Sequence, residues 1–421
     1  MKQIAASKQI TVHVYFILIA LFALVLRVVI ATTYQNDFDL RPYNIPWAIA
    51  AAENPLNIYQ NIQNLDYPPV FPMLLSLVGT FVKQAQMQQI WQLEMFWIKL
   101  IPVLSDILLM CIIYVLTVKH YQMEALFFAA FWAVNPSIIF NCAFWGQADV
   151  LLLLFIFLTF WCFWKQKPTV ACVFFALGCL TKLQMAYFAP IVLCELFFHY
   201  HFKYWIKALG IGLMVGIAGW LPFMIASGSI FLPFDIYFGG FESYQFINLN
   251  AYNLYGIGEN NWVPDSQKLF GITYAQISMI IMILLLVVFI CVKYFYRQIP
   301  GAVHALFFIN SIFMLTCRMH ERYQLPALIL ALLCYLIQKD NRYLYLFLGI
   351  CMITFFNQAL LLFIMNFGGV FRNFFDNSQK YFSIVNLLFY GFHIWIYITE
   401  MKRSKRFRLK RTLFKKSSAI S

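Results

Sequence analysis

Apolar runs near twenty residues long recur along the chain, from 11–33 to 382–400. Most have the length a helix needs to cross a hydrocarbon layer, and 169–182 and 186–200 are short ones. So many in succession leave room for one kind of fold, a bundle of membrane helices. The runs lie at 11–33, 94–118, 124–142, 147–164, 169–182, 186–200, 204–226, 272–296, 300–317, 323–338, 343–366 and 382–400. They predict an all-α polytopic membrane protein of about twelve transmembrane helices. A chain 62% apolar and 11% charged, with a mean hydropathy of +0.74, agrees. The segment 68–82 opens on Pro68, Pro69 and Pro72, and at roughly fifteen residues it suits an interfacial or re-entrant helix. Leaving it out returns both termini to one side.

The charges orient that bundle. Lys119, Lys165, Lys167, Lys203, Lys207, Lys293, Arg297, Lys339 and Arg342 fall on the side of the N-terminus. Nine more basic residues fill 402–416, directly after the last run. By the positive-inside rule that side is cytoplasmic, and the tail is a topology determinant near anionic lipid rather than an arm for nucleic acid. The opposite side receives the two longest loops, 34–93 and 227–271, with Asp37, Asp39, Glu53, Asp66, Asp235, Glu242, Glu259 and Asp265. Loops of that length in a compact protein are usually functional. No repeat or linker divides the chain, so residues 1–401 form one membrane module and 402–421 a basic cytoplasmic tail. Lys2 and Lys8 precede the first run without a small-residue cleavage site, which predicts a retained span. The ten cysteines make no CxxC, arguing against a disulfide framework or structural zinc. P-loop, dinucleotide-binding glycine and HExxH patterns are missing.

Polar residues gather at span ends on the non-cytoplasmic side, as an active site at a membrane surface would require. Asp37 and Asp39, in YQNDFDLRPY, suit a general base that takes a proton from an attacking hydroxyl, or simply solvate a loop. In LDYPPV, two prolines fix the backbone that aims Asp66 and Tyr67. RMHERYQLP places Arg318, His320, Glu321 and Arg322 where a loop enters an apolar span. Guanidinium groups there suit phosphate oxygens, or make an interfacial charge cluster. Lys182 and Gln184 interrupt an apolar stretch, where the lysine either snorkels to the headgroups or adds charge to a phosphate site. Gln147 and Asp149 open a span, the aspartate at the positive end of a helix dipole. Trp145, Tyr252 and Trp262 offer faces on which a sugar stacks, although aromatic belts also put such residues at interfaces.

In this order, DFDLRPYNIPWA, DYPPVFPMLL, IKLIPVLSDILL, NPSIIFNCAFWGQADVLLLL, TKLQMAYFAP, NAYNLYGI and RMHERYQLP resemble the GT-C superfamily of polyprenyl-phosphate-sugar-dependent glycosyltransferases. The likeness is greatest to bacterial relatives of the GPI-anchor mannosyltransferases and to dolichyl-phosphate-glucose glucosyltransferases. It covers residues 37 to 326.

The resemblance implies a GT-C-like bundle with juxtamembrane helices in the first outer loop. It implies transfer of a hexose, mannose or glucose, with inversion, from a polyprenyl-phosphate donor to a glycan, lipid or protein acceptor. Asp39 matches the catalytic acidic position, with Asp37 the alternative. His320-Glu321-Arg322 matches the motif that meets the lipid-linked phosphate, with Arg318 and Lys182 beside it. Asp66, Tyr67, Trp145, Gln147, Asp149, Gln184, Asn250, Asn253 and Glu321 fall where substrate is bound. The lipid phosphate is itself the leaving group, so neither metal nor cofactor is predicted. The basic tail and total charge suggest a bacterial plasma membrane with cytoplasmic termini, and an endoplasmic reticulum enzyme would show the same bias. Two rivals use the same chemistry differently: a transporter or flippase of a lipid-linked or polar solute, and an outer-face polysaccharide polymerase or ligase. A transporter places its polar residues near the midplane, often in inverted repeats.

Overall fold

The computed structural model describes residues 2–417 except 36, 63, 120, 243, 259 and 368–371. Glu259 and the last four residues of the basic tail therefore lie outside the described residues. Seventeen α-helices make up the described chain, and strands are confined to the hairpin Lys268–Leu269 with Ile272–Thr273. Its turn residues Phe270 and Gly271 both have positive φ, 52° and 86°, as a tight antiparallel hairpin demands.

Six helices are long and apolar enough to cross a membrane: Ile10–Thr33, Trp91–Val118, Phe202–Ser227, Tyr274–Phe295, Asn341–Met365 and Asp376–Lys405. The expected span 124–142 is instead a pair, Gln122–Ala133 and Pro136–Trp145, bent by 44°. Pro136 cannot continue the first helix, and the Asn135 side chain caps the second by accepting from Ile138 N at 3.3 Å. The other five expected spans fall on apolar helices of 10–17 residues, shorter than a straight crossing. The segment 68–82 forms an amphipathic helix, Val70–Met87, packed against Ile45–Glu53.

Burial explains which helices are short. Asp149–Trp164, Gly301–Leu315 and Leu325–Gln338 are apolar on every side, and nearly all their residues are buried. They form the centre of the main hydrophobic cluster. In contrast, only 6% of the Tyr274–Phe295 window and 17% of the Phe202–Ser227 window are buried inside the protein. Such faces belong in lipid. The protein is thus a helical, multi-pass membrane protein.

Within the bundle, Arg27 from the first span meets Asp106 from Trp91–Val118, both fully buried. Asp106 also accepts from Trp132 Nε1 at 2.6 Å, and Arg27 donates to the Ala133 carbonyl at 2.8 Å. At the helix ends away from the long loops, Lys339 pairs with Glu124, Lys293 with Glu195, and Arg342 with Asp340 and Glu400.

Candidate active site

The first span ends at Thr33, and the chain then makes a π-turn, Leu40–Asn44, before the helix Ile45–Glu53. Asp39 stands at the start of that turn, its carbonyl accepting from Tyr43 N at 3.2 Å and Asn44 N at 3.4 Å. Wide turns of this kind are frequent at functional sites. The half-buried Asp39 carboxylate is clamped through Oδ2, which accepts from Trp145 Nε1 at 2.6 Å and from Gln147 Nε2 at 2.7 Å. Asp37 points away. It is exposed and pairs with Arg41 at 3.0 Å.

The two donors to Asp39 flank Gly146, which ends a second π-turn, Phe140–Trp145, at φ 81°. A Cβ there would lie 3.0 Å from both Leu40 Cδ2 and Lys99 Cγ. Glycine is therefore required for its backbone angle and for its size. Lys99 braces the same place, because its Nζ donates to the Tyr34 carbonyl at 2.6 Å, at the head of the loop carrying Asp39.

A second group of charges shares the cavity. Lys182, in the break between Pro168–Cys179 and Leu183–Phe188, donates to Asp149 Oδ1. Asp149 Oδ2 accepts from Asn141 Nδ2 at 3.0 Å and lies 3.4 Å from Arg322 Nε. That Nε has no hydrogen-bond acceptor. Arg322 Nη1 bonds Glu321, and its guanidinium carbon stands 5.3 Å from the Trp145 ring centroid. Two buried cations and two buried carboxylates thus form one cluster, and Arg322 brings it to the ring of Trp145, which holds Asp39.

The cavity, about 500 Å³, is lined by Asp39, Asp66, Tyr67, Gln147, Lys182, Gln184 and Arg322 among others. The Asp66–Pro69 turn is fixed in place because Val70 N donates to the Leu180 carbonyl at 2.9 Å, beside Lys182. Burial pushes the Asp66 carboxyl above the usual range, against the charges of Lys182 and Arg322. Burial likewise lowers the His320 imidazole, with Glu321 acting the other way. For Glu321, burial acts upward but Arg322 and His320 prevail and hold the carboxyl below its ordinary 4.5.

A depressed carboxyl adds stability above its unfolded value, and that addition is lost as pH falls through the folded value. Glu321→Gln is therefore expected to unfold at lower temperature than wild type at neutral pH. The gap should close below pH 4.5 in thermal melts of detergent-purified protein, and a gap that persisted at acid pH would contradict this.

Several expected site residues stand elsewhere. Arg318 does not line the cavity; its Nε donates to Asp265 at 2.6 Å, in a backbone held at φ 63°. Asn250 braces its own loop, its side-chain oxygen accepting from Asn261 at 2.7 Å and Trp262 at 3.2 Å. Asn253 caps the turn Leu254–Ile257 and donates to the Phe313 carbonyl at 3.1 Å. Tyr252 is buried against Phe382. Trp145, Asp149 and Glu321 line no part of the cavity themselves but orient residues that do.

Tyr244 and Tyr323, and Asp235, which in the sequence stood out only as an outer-loop charge, also line the cavity. Tyr244 stands edge-on to His320 at 4.8 Å. Asp235 lies on a helix, Leu232–Glu242, whose Gly240 packs at ordinary contact distance on the Asp66 carbonyl, where a Cβ would sit 3.7 Å away, while Gly239 faces open space. No protein-family model matches the chain, and no curated protein matches it.

Proposed function

We propose that the chain is an inverting glycosyltransferase. It moves a hexose, mannose or glucose, from a polyprenyl-phosphate donor to a glycolipid, polysaccharide or protein acceptor. In this reading the twelve apolar helices and bent pairs form a GT-C-like bundle with both termini cytoplasmic, in a bacterial plasma membrane, and the cavity opens on the other face. The observation that carries the proposal is one cavity shared by a clamped carboxylate, Asp39, and two cations with donors to spare, Lys182 and Arg322.

Both clamp bonds fall on Asp39 Oδ2, so Oδ1 keeps its lone pairs for an acceptor hydroxyl. As that proton passes to Asp39, the hydroxyl oxygen bonds the anomeric carbon and the bond from that carbon to phosphate oxygen breaks. The lipid phosphate leaves with the electron pair. Arg322 Nε and the two remaining N–H groups of Lys182 stabilise the charge it gains. Asp149 and Glu321 hold these cations in position, and Asp66 and Gln184 face the sugar. Arg318 bonds Asp265 and steadies the loop that carries it.

Wild-type protein in lipid, given a panel of radiolabelled polyprenyl-phosphate sugars with a membrane glycolipid extract as acceptor, is expected to consume one donor. Label should pass to the acceptor, or slowly to water, with polyprenyl phosphate released. Donors that bind without any being consumed would move the reading to a transporter.

A further inference from the structure

A second cleft lies on the opposite face of the segment that carries Asp39. Tyr43, Asn44 and Trp47 of that segment line the cavity described above, while Arg41, Ile45, Pro46, Ile49 and Glu53 line a separate space of about 380 Å³, closed by Trp91 and Glu94. Glu94 is only 2% exposed, and its Oε1 has no hydrogen-bond partner. A buried carboxylate oxygen without a donor is costly, so this position calls for a ligand that brings one.

The other charges of the cleft donate no hydrogen bond to it, although the Arg41 charge reaches Glu94 and favours its carboxylate. Glu53 is bonded to Lys83. Arg41 is bonded to Asp37 at 3.0 Å and lies over the Trp91 ring, 4.9 Å from its centroid, with its side chain 44% exposed. The cleft thus presents a buried acceptor at its floor, a partly exposed guanidinium at its rim, and the apolar surfaces of Ile45, Pro46 and Ile49 between them.

Its depth identifies the ligand class. Trp91 and Glu94 form the first turn of the spanning helix Trp91–Val118, which is where an aromatic residue meets the membrane–water boundary. The molecules always present at that level are phospholipid headgroups. We propose that the cleft binds a phospholipid whose headgroup ends in a primary ammonium, as in phosphatidylethanolamine. The ammonium donates to Glu94 Oε1, and the phosphate meets Arg41. A trimethylammonium headgroup has no N–H to donate, and the Trp91 face it would stack on is covered by Arg41. A glycerol headgroup brings no cation. This site does not depend on the glycosyltransferase reading.

Native mass spectrometry of the full-length protein tests the proposal, with phosphatidylethanolamine, phosphatidylcholine and phosphatidylglycerol of matched chains titrated separately. Wild type is expected to retain the ethanolamine lipid about tenfold more tightly than the other two, the scale of one charge-assisted hydrogen bond. Glu94→Gln, which keeps the side-chain volume, should abolish that preference while the protein still elutes as a single species. Equal retention of the three lipids by wild type would overturn the proposal. So would an ethanolamine preference that survives in Glu94→Gln.

Discussion

Asp39→Asn is expected to lower sugar transfer by about 100- to 10,000-fold, the usual contribution of a positioned general base. Asparagine keeps the shape of the side chain, and its oxygen still accepts from Trp145 and Gln147, so the clamp at 2.6 and 2.7 Å survives. What is lost is the capacity to take a proton. On the proposed reading donor binding rests on Lys182 and Arg322, so it should change little. The partner experiment is Asp37→Asn, whose exposed carboxylate pairs with Arg41 outside the cavity and whose rate should stay within a few-fold of wild type. Initial rates with the active donor, beside donor binding by both variants, check the pair. Equal losses in the two variants, or full activity in Asp39→Asn, would remove Asp39 from the role.

The second large effect concerns the bundle. Arg27→Met and Asp106→Leu, each alone, should lower stability by roughly 3–5 kcal/mol, because each leaves the opposite charge buried and unpaired. Asp106 collects Arg27, Trp132 Nε1 and the Cys142 thiol, and Arg27 also feeds the carbonyls of Ala23, Trp132 and Ala133. The double variant Arg27→Met with Asp106→Leu should recover most of the loss. The remainder is the Trp132 N–H, which loses its acceptor, and the Ala133 carbonyl, which loses its donor. Thermal unfolding of detergent-purified protein, followed by dye labelling of the buried cysteines, gives all three values. Simple addition of the two losses would show that the pair is not a unit.

Much of this architecture was legible in the hydropathy pattern, because every expected span lies on an apolar helix or a bent pair. The pattern could not tell lipid-facing helices from central ones. Leu325–Gln338 and Tyr274–Phe295 are alike in apolar content, yet the first is packed on all sides and the second almost bare. The Arg27–Asp106 pair was equally hidden. Its members are separated by 79 positions, and nothing local to either names the other.

The cavity itself drew on Asp39, Asp66, Gln147, Lys182, Gln184 and Arg322, each visible as a polar residue at a span end. Asn250 and Asn253 shared that signature but brace loops, Asn250 by accepting from the side chains of Asn261 and Trp262 and Asn253 by capping a turn. Arg318 looked equivalent to Arg322 from four residues away, and only the fold assigns one to Asp265 and the other to the cavity.

The brevity of Pro168–Cys179 has a further consequence. Twelve residues rise about 18 Å, against a hydrocarbon layer of about 30 Å. With one end at a membrane surface, the other stops roughly 12 Å short of the opposite surface. Lys182 follows that helix, and on this placement it would bring one wall of the cavity to acyl-chain depth. A cavity at that depth would carry charge down into the bilayer. A phosphate on a lipid would then need to sink only part of the way, with its tail never leaving oil.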